Sequence, residues 1–131
     1  MKRSIILVIF SITAMACGGD NQQEEQGCTT ELVPGIVIEI RDAVSDAPIA
    51  ENAVVVITDG DYQETLTVSA YEGPDPSSAY AVAGAYERPG IYDIELNLAG
   101  YESWFRTQVE VEAGVCHVNT VTFTVRLSAI Q

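Results

Sequence analysis

Tyr92-Asp93-Ile94-Glu95-Leu96-Asn97-Leu98-Ala99-Gly100-Tyr101 places an apolar side chain at every second position and then breaks at Ala-Gly. A period of two, not 3.6, marks a strand buried on one face. Downstream the mode continues from Tyr101 to Glu112, where Phe105, Val109 and Val111 oppose Trp104, Arg106, Gln108, Glu110 and Glu112. Ala113-Gly114 turns the chain into a last strand, with Val121, Phe123, Val125 and Leu127 facing one way and Thr120, Thr122, Thr124 and Arg126 the other. Upstream, Ile36, Ile38 and Ile40 alternate with Val37, Glu39 and Arg41, and Ala53, Val55 and Ile57 share one face of a second run. Leu66 and Val68 mark a third strand over Glu64 to Ser69, and the small residues of Tyr80 to Tyr86 give the weakest strand signal. Between the runs lie turn formers: Asp42 to Pro48, Asp59-Gly60-Asp61, the Pro-Gly-Ser stretch Gly73 to Ser78, and Arg88-Pro89-Gly90. Seven short strands without a helical period or an internal repeat predict an all-β fold, a seven-stranded antiparallel β-sandwich.

Ahead of this domain the chain reads as an export signal. Lys2-Arg3 precedes the apolar run Ile5 to Phe10, and Ala14-Met15-Ala16 stands immediately before Cys17. With about a dozen apolar residues, the run is too short to cross a hydrocarbon layer of roughly 30 Å. The layout resembles bacterial lipoprotein signals, whose lipobox ends at the cysteine that is cleaved and acylated. Residues 1–16 are then a removable signal and Cys17 the lipidated residue, with ordinary secretory cleavage after Ala16 as the alternative. Residues 17–30 form an acidic tether, since Gly18 to Gly27 carries no aliphatic or aromatic side chain that could join a core. Residues 31–131 make one domain, of a usual size for a single core.

Within that domain, Gly35-Ile36-Val37, Ala47-Pro48-Ile49, Ala53-Val54-Val55-Val56, Pro89-Gly90-Ile91-Tyr92 and Leu98-Ala99-Gly100-Tyr101 follow one another in an order that resembles carboxypeptidase regulatory-like domains. The resemblance covers roughly residues 33–127 and implies a transthyretin-like (prealbumin-like) Greek-key sandwich. Folding alone also accounts for these residues: Gly90 and Gly100 suit tight turns, and Tyr92 and Tyr101 can bury a ring while bonding a hydroxyl.

The charge balance restricts the partners. The chain carries a net charge of −13, from 19 acidic and six basic residues. Removal of the signal takes Lys2 and Arg3, leaving Arg41, Arg88, Arg106 and Arg126 as the only cations beside a single histidine. The electrostatic attraction that draws proteins to nucleic acid is absent, so no nucleic-acid partner is expected. Membrane contact is expected through the N-terminal lipid. Gly18-Gly19 after Cys17 lacks the aspartate that signals inner-membrane retention in many Gram-negative lipoproteins, and the resemblance therefore implies the outer membrane. A secreted or periplasmic protein is the alternative.

Three cysteines in an exported chain leave Cys28 and Cys116 as a pair once Cys17 is acylated, and a disulfide between them would pin the first strand to the last. The rival use of Cys116-His117 in a metal or catalytic site suffers from too few ligands: there is one histidine and no Cys-x-x-Cys spacing. His117 is expected to cap a strand edge. Asp59, Asp61 and Glu64 gather carboxylates around a turn as calcium sites do, with Asp42 and Asp46 in a neighbouring turn, but the spacing departs from a helix-loop-helix calcium loop and a solvated turn is the favoured reading. No metal and no cofactor are expected.

Enzymatic signals are absent. Hydrolases of 5-hydroxyisourate, which are similar in architecture, use several histidines and end in Tyr-Arg-Gly-Ser, whereas this chain ends Leu127-Ser128-Ala129-Ile130-Gln131. No Gly-x-Ser-x-Gly elbow occurs, His117 would be the only imidazole base, and no carboxylate pair stands out among 19. The sequence points to a non-enzyme. Alternation puts Trp104 opposite Phe105 and beside Arg106, a common anchor pair at binding surfaces, with Tyr71 and Tyr80 able to extend an aromatic patch toward a protein or glycan. The plainer role for Trp104 is to fill a gap at a sheet edge. The function expected is a lipid-anchored structural, adhesive or accessory interaction module. A binding module for glycan or calcium is the alternative, and a hydrolase of the transthyretin-like fold comes third.

Overall fold

A computed structural model describes residues 27–69 and 81–131. The signal, Cys17, most of the tether, Tyr71 and Tyr80 lie outside the described residues. Seven strands follow in chain order: β1 (Ile36–Asp42), β2 (Val54–Asp59), β3 (Tyr62–Ser69), β4 (Ala81–Gly84), β5 (Gly90–Asn97), β6 (Trp104–Val111) and β7 (Val121–Leu127), with a single 3₁₀ turn at Ala50–Asn52. The fold is all-β, as the alternation predicts.

The strands form one hydrogen-bonded sheet in the order β6-β5-β2-β3-β4-β1-β7. It doubles over at β3, whose first half pairs with β2 from Tyr62 to Leu66 and whose second half pairs with β4 from Thr67 to Ser69. The result is nearly barrel-like, and the inward sets of all seven strands meet in one core. Ile36, Ile38 and Ile40 of β1, Val55 and Ile57 of β2, and Tyr92, Ile94 and Leu96 of β5 are almost wholly buried. The small residues of β4 have a packing reason. All four are buried, and a Cβ on Gly84 would collide with the side chain of Leu66. Weak strand propensity there accompanies a close approach to β3 that larger side chains would forbid.

Two expectations are corrected. The sheet is not wholly antiparallel, because β1 and β7 run parallel in unbroken register from Ile36↔Val121 to Asp42↔Leu127. Both strands begin at the same end of the molecule, where the Cys28–Cys116 disulfide joins the segments that lead into them. A parallel pair needs a long connection, and here the intervening strands supply it.

The second correction concerns β6. Phe105 is 63% exposed, whereas Trp104 packs against the core. The facing reverses because Tyr92 pairs with Val109 but Ile94 pairs with Arg106, so that Asp93 stands opposite an extra residue. Gln108 takes a left-handed φ of 58°, and its N–H donates to the Asp93 carboxylate at 3.1 Å. Such a bulge moves every side chain on one side of it to the other face. Val109 and Val111 keep their inward places, Trp104 packs half-buried against the core, and Arg106 stays exposed with its guanidinium over the Phe123 ring.

Two outcomes test this framework. Cys116→Ser is expected to lower stability by about 2–5 kcal/mol, given the long loop closed; denaturant unfolding checks it, and the parent protein under reductant should match the variant. Asp93→Ala is expected to cost about 1 kcal/mol through the lost bond to Gln108, whereas Gln108→Gly should hold or raise the midpoint because glycine accepts the positive φ without strain.

Candidate functional site

From Tyr101 to Ile130 the chain forms a long hairpin that is closed at both ends and open in the middle. At one end Tyr101 bridges Ala129, with Glu102 N–H donating to Ser128 O and Ile130 N–H to Gly100 O, each at 2.9 Å. At the other, Ala113 bridges Val118, with Gly114 N–H on His117 O and Asn119 N–H on Glu112 O, each at 2.8 Å. Between these ends β6 turns to pair with β5 and β7 with β1, and among the described residues no ladder joins the two facing edges. Side chains occupy the seam instead. The Trp104 and Phe123 rings lie 5.8 Å apart, and the Arg106 guanidinium stands 4.7 Å over Phe123.

Arg106 differs from the other described cations. Arg41, Arg88 and Arg126 each pair with a carboxylate, whereas among the described residues Arg106 forms no ion pair. On the outer face Phe105 borders a hollow of about 230 Å³ with Val56, Glu95 and Thr107. Trp104 and Arg106 are thus brought together as the sequence suggests, but in the seam rather than on the outer face. Phe123, which the alternation places on one face with Val121, Val125 and Leu127, completes the stack. The plainer role for Trp104, filling a gap at a sheet edge, matches its position.

The acidic turn residues are committed elsewhere. Asp59 pairs with Arg88 at 2.8 Å, and the Arg88 guanidinium lies 3.8 Å over the Tyr62 ring and donates to the Tyr92 hydroxyl at 2.8 Å. Asp59, then Tyr92, raises the Arg88 pKa. Glu64 accepts the Tyr62 hydroxyl at 2.7 Å and the Ala85 N–H at 2.9 Å, which pushes the Tyr62 phenol up to about 12. Asp59 and Glu64 therefore serve separate partners, and with Asp61 they do not form a cation cage. Among the described residues no group of three or more His, Cys, Asp or Glu is placed to hold a metal.

At the opposite end Asp42 accepts the N–H groups of Val44 and Ser45 and the Ser45 hydroxyl on one oxygen, and the Tyr101 hydroxyl on the other at 3.0 Å. These bonds, Ser45 N–H first, hold its pKa at about 2 and raise that of Tyr101. Tyr101 also lines a cleft of about 470 Å³ with Ile49, Leu98, Glu51 and Asn52.

His117 does not cap a strand edge. It sits in the β6–β7 turn, with Nε2 2.8 Å from the Thr29 hydroxyl and Nδ1 2.7 Å from Glu87 Oε1. The same Oε1 accepts the Val33 N–H at 2.7 Å, and that bond, with a smaller contribution from His117, holds Glu87 below the usual carboxylate range. Cys28 and Thr29, placed in the tether by composition, are therefore fastened to the domain. A signal for the Thr29–His117 contact exists in the sequence: each residue directly follows a cysteine of the pair. Nothing in the sequence marks Glu87.

No protein-family model matches the chain, and no curated protein matches it.

Asp42→Asn is expected to be less stable than the parent at neutral pH. Because the folded carboxyl titrates at about 2 and not at 3.8, the difference should be fully present above the higher value and close as the pH falls through the lower one. Urea unfolding across that range checks it.

Proposed function

We propose that this chain is a lipid-anchored envelope protein whose domain is an interaction module of the carboxypeptidase regulatory-like kind, a transthyretin-like Greek-key sandwich. Supporting the family reading are the ordered turn motifs and their bonds: Tyr92 is buried with its hydroxyl on Arg88, Tyr101 holds Asp42, and Gly100 has a positive φ of 87°. The lipobox-like stretch ending at Cys17 and the lysine-free, acidic mature chain support export and a lipid anchor at the outer membrane.

The observation that carries the function is the open seam. Two strand edges that pair with no further strand among the described residues face each other around Trp104, Phe123 and an Arg106 that has no carboxylate partner among those residues. Exposed edges are templates for strand addition by an extended partner segment, in which backbone bonds give affinity and side-chain pockets give selectivity. A partner strand with an acidic side chain near Arg106 fits best, since charge pairing would be completed and the cation–aromatic stack retained. Glycan binding is the second reading, favoured by the cleft beside Tyr101, whose size lies within the range of small-ligand sites.

A photo-cross-linking residue at Thr107, on the free edge, is expected to capture a discrete protein in living cells, while one at Thr65, on the outer face of β3, captures none. Arg106→Glu should abolish the Thr107 adduct without lowering the amount of folded protein. Equal labelling from both positions would overturn the seam as the contact.

A further inference from the structure

Beyond the seam, the molecule holds a second arrangement of reactive groups. Thr29, His117 and Glu87, distant in sequence, form a hydrogen-bonded line of hydroxyl, imidazole and carboxylate with contacts of 2.8 and 2.7 Å. The direction of the protons follows from the end group. An ionised carboxylate only accepts, so Nδ1 carries the hydrogen toward Glu87 and Nε2 of the neutral ring accepts from Thr29. This is the order of groups that turns a hydroxyl into a nucleophile: a base on the hydroxyl, and a carboxylate that fixes the tautomer and orientation of the base.

The surroundings fit the role. Thr29 is solvent-exposed, so an acyl group can reach it, while His117 is only partly so. Glu87 is held by the Val33 N–H, and the disulfide fixes Cys28 to Cys116, the residues directly before Thr29 and His117. Two members of the line are thereby held together covalently, one residue away.

The geometry points to Thr29 as an acyl-accepting nucleophile with His117 as its base and Glu87 as a positioning residue, giving the domain a hydrolytic activity toward uncharged carboxylic esters. Thr29 Oγ1 bonds to the acyl carbon as its proton passes to His117 Nε2. The tetrahedral adduct then collapses, the bond to the alcohol oxygen breaks, and that oxygen takes the proton from Nε2. Water, deprotonated by the same nitrogen, attacks the acyl-threonine, and Oγ1 leaves with the proton. Ester and water become acid and alcohol, with no other reactant. An acidic chain repels anionic substrates, so among esters the neutral ones, free of that repulsion and of the non-specific attraction that cations would feel, are the class tested.

The test uses the full chain expressed with its own leader, with p-nitrophenyl acetate as substrate and a fluorophosphonate as covalent probe. Background acylation is low because no lysine follows Lys2. The probe is expected to add to Thr29, identified by peptide mass. Hydrolysis should fall by about 10²–10⁴-fold in Thr29→Val and His117→Gln, the usual contribution of a general base, and persist in Thr29→Ser, which keeps the hydroxyl. Glu87→Gln should lower kcat with KM unchanged. Hydrolysis by His117→Gln at the parental rate would overturn the proposal, as would a parent protein that melts cooperatively yet gives no adduct on Thr29. Strand addition at the seam involves none of these three residues, so the two proposals stand or fall separately.

Discussion

The covalent bond between Cys28 and Cys116 sets the constraint from which the remaining geometry follows. It ties together the segments entering the first and last strands, so β1 and β7 start from one end and lie parallel. Everything between them must leave and return, and it does so by antiparallel pairing on both sides of a sheet that folds at β3. A domain of this size gains from such closure because a small core alone supplies limited stability. The same bond gathers Thr29 and His117, which otherwise belong to opposite ends of the domain's sequence.

A second constraint is the incomplete closure of the sheet. β6 and β7 are consecutive and hydrogen-bonded at both ends of their hairpin, yet each is drawn toward a different neighbour in between. The opening is filled by an aromatic pair and a guanidinium instead of backbone bonds. The Thr107–Gln108 bulge makes this possible by turning Trp104 against the core and setting Arg106 over Phe123 without disturbing Val109 and Val111. One extra residue in a strand thus decides which aromatic packs against the core and which faces out. Bulges also twist an edge away from indiscriminate pairing.

Much of this was legible in the chain. The alternating sets of β1, β2, β5 and β7 name their buried faces correctly because each strand keeps its period from end to end. The disulfide was legible from parity and placement. The parallel pairing could have been read from the same facts, since both cysteines precede their strands and a bond between them brings two strand starts together. The facing of Trp104 and Phe105 was not legible, although the gap-filling role of Trp104 was, because a bulge leaves no signature beyond a polar residue such as Gln108 that tolerates a positive φ. Glu87 was hidden for a different reason. Its role depends on a turn meeting two segments 54 and 30 residues away, and no local pattern encodes such a meeting.

The position of the disulfide also has a mechanical meaning. Tension entering the domain from the N-terminal side reaches Cys28 first and passes through a covalent bond directly into the turn after β6. The first strand is spared, since the load bypasses the 88-residue separation between the two cysteines. Peeling of β1 from β7, the easiest way to unzip a parallel edge by its leading end, is therefore blocked. A domain wired in this manner meets a load applied at Cys28 with a covalent link rather than with the hydrogen bonds that hold the start of β1.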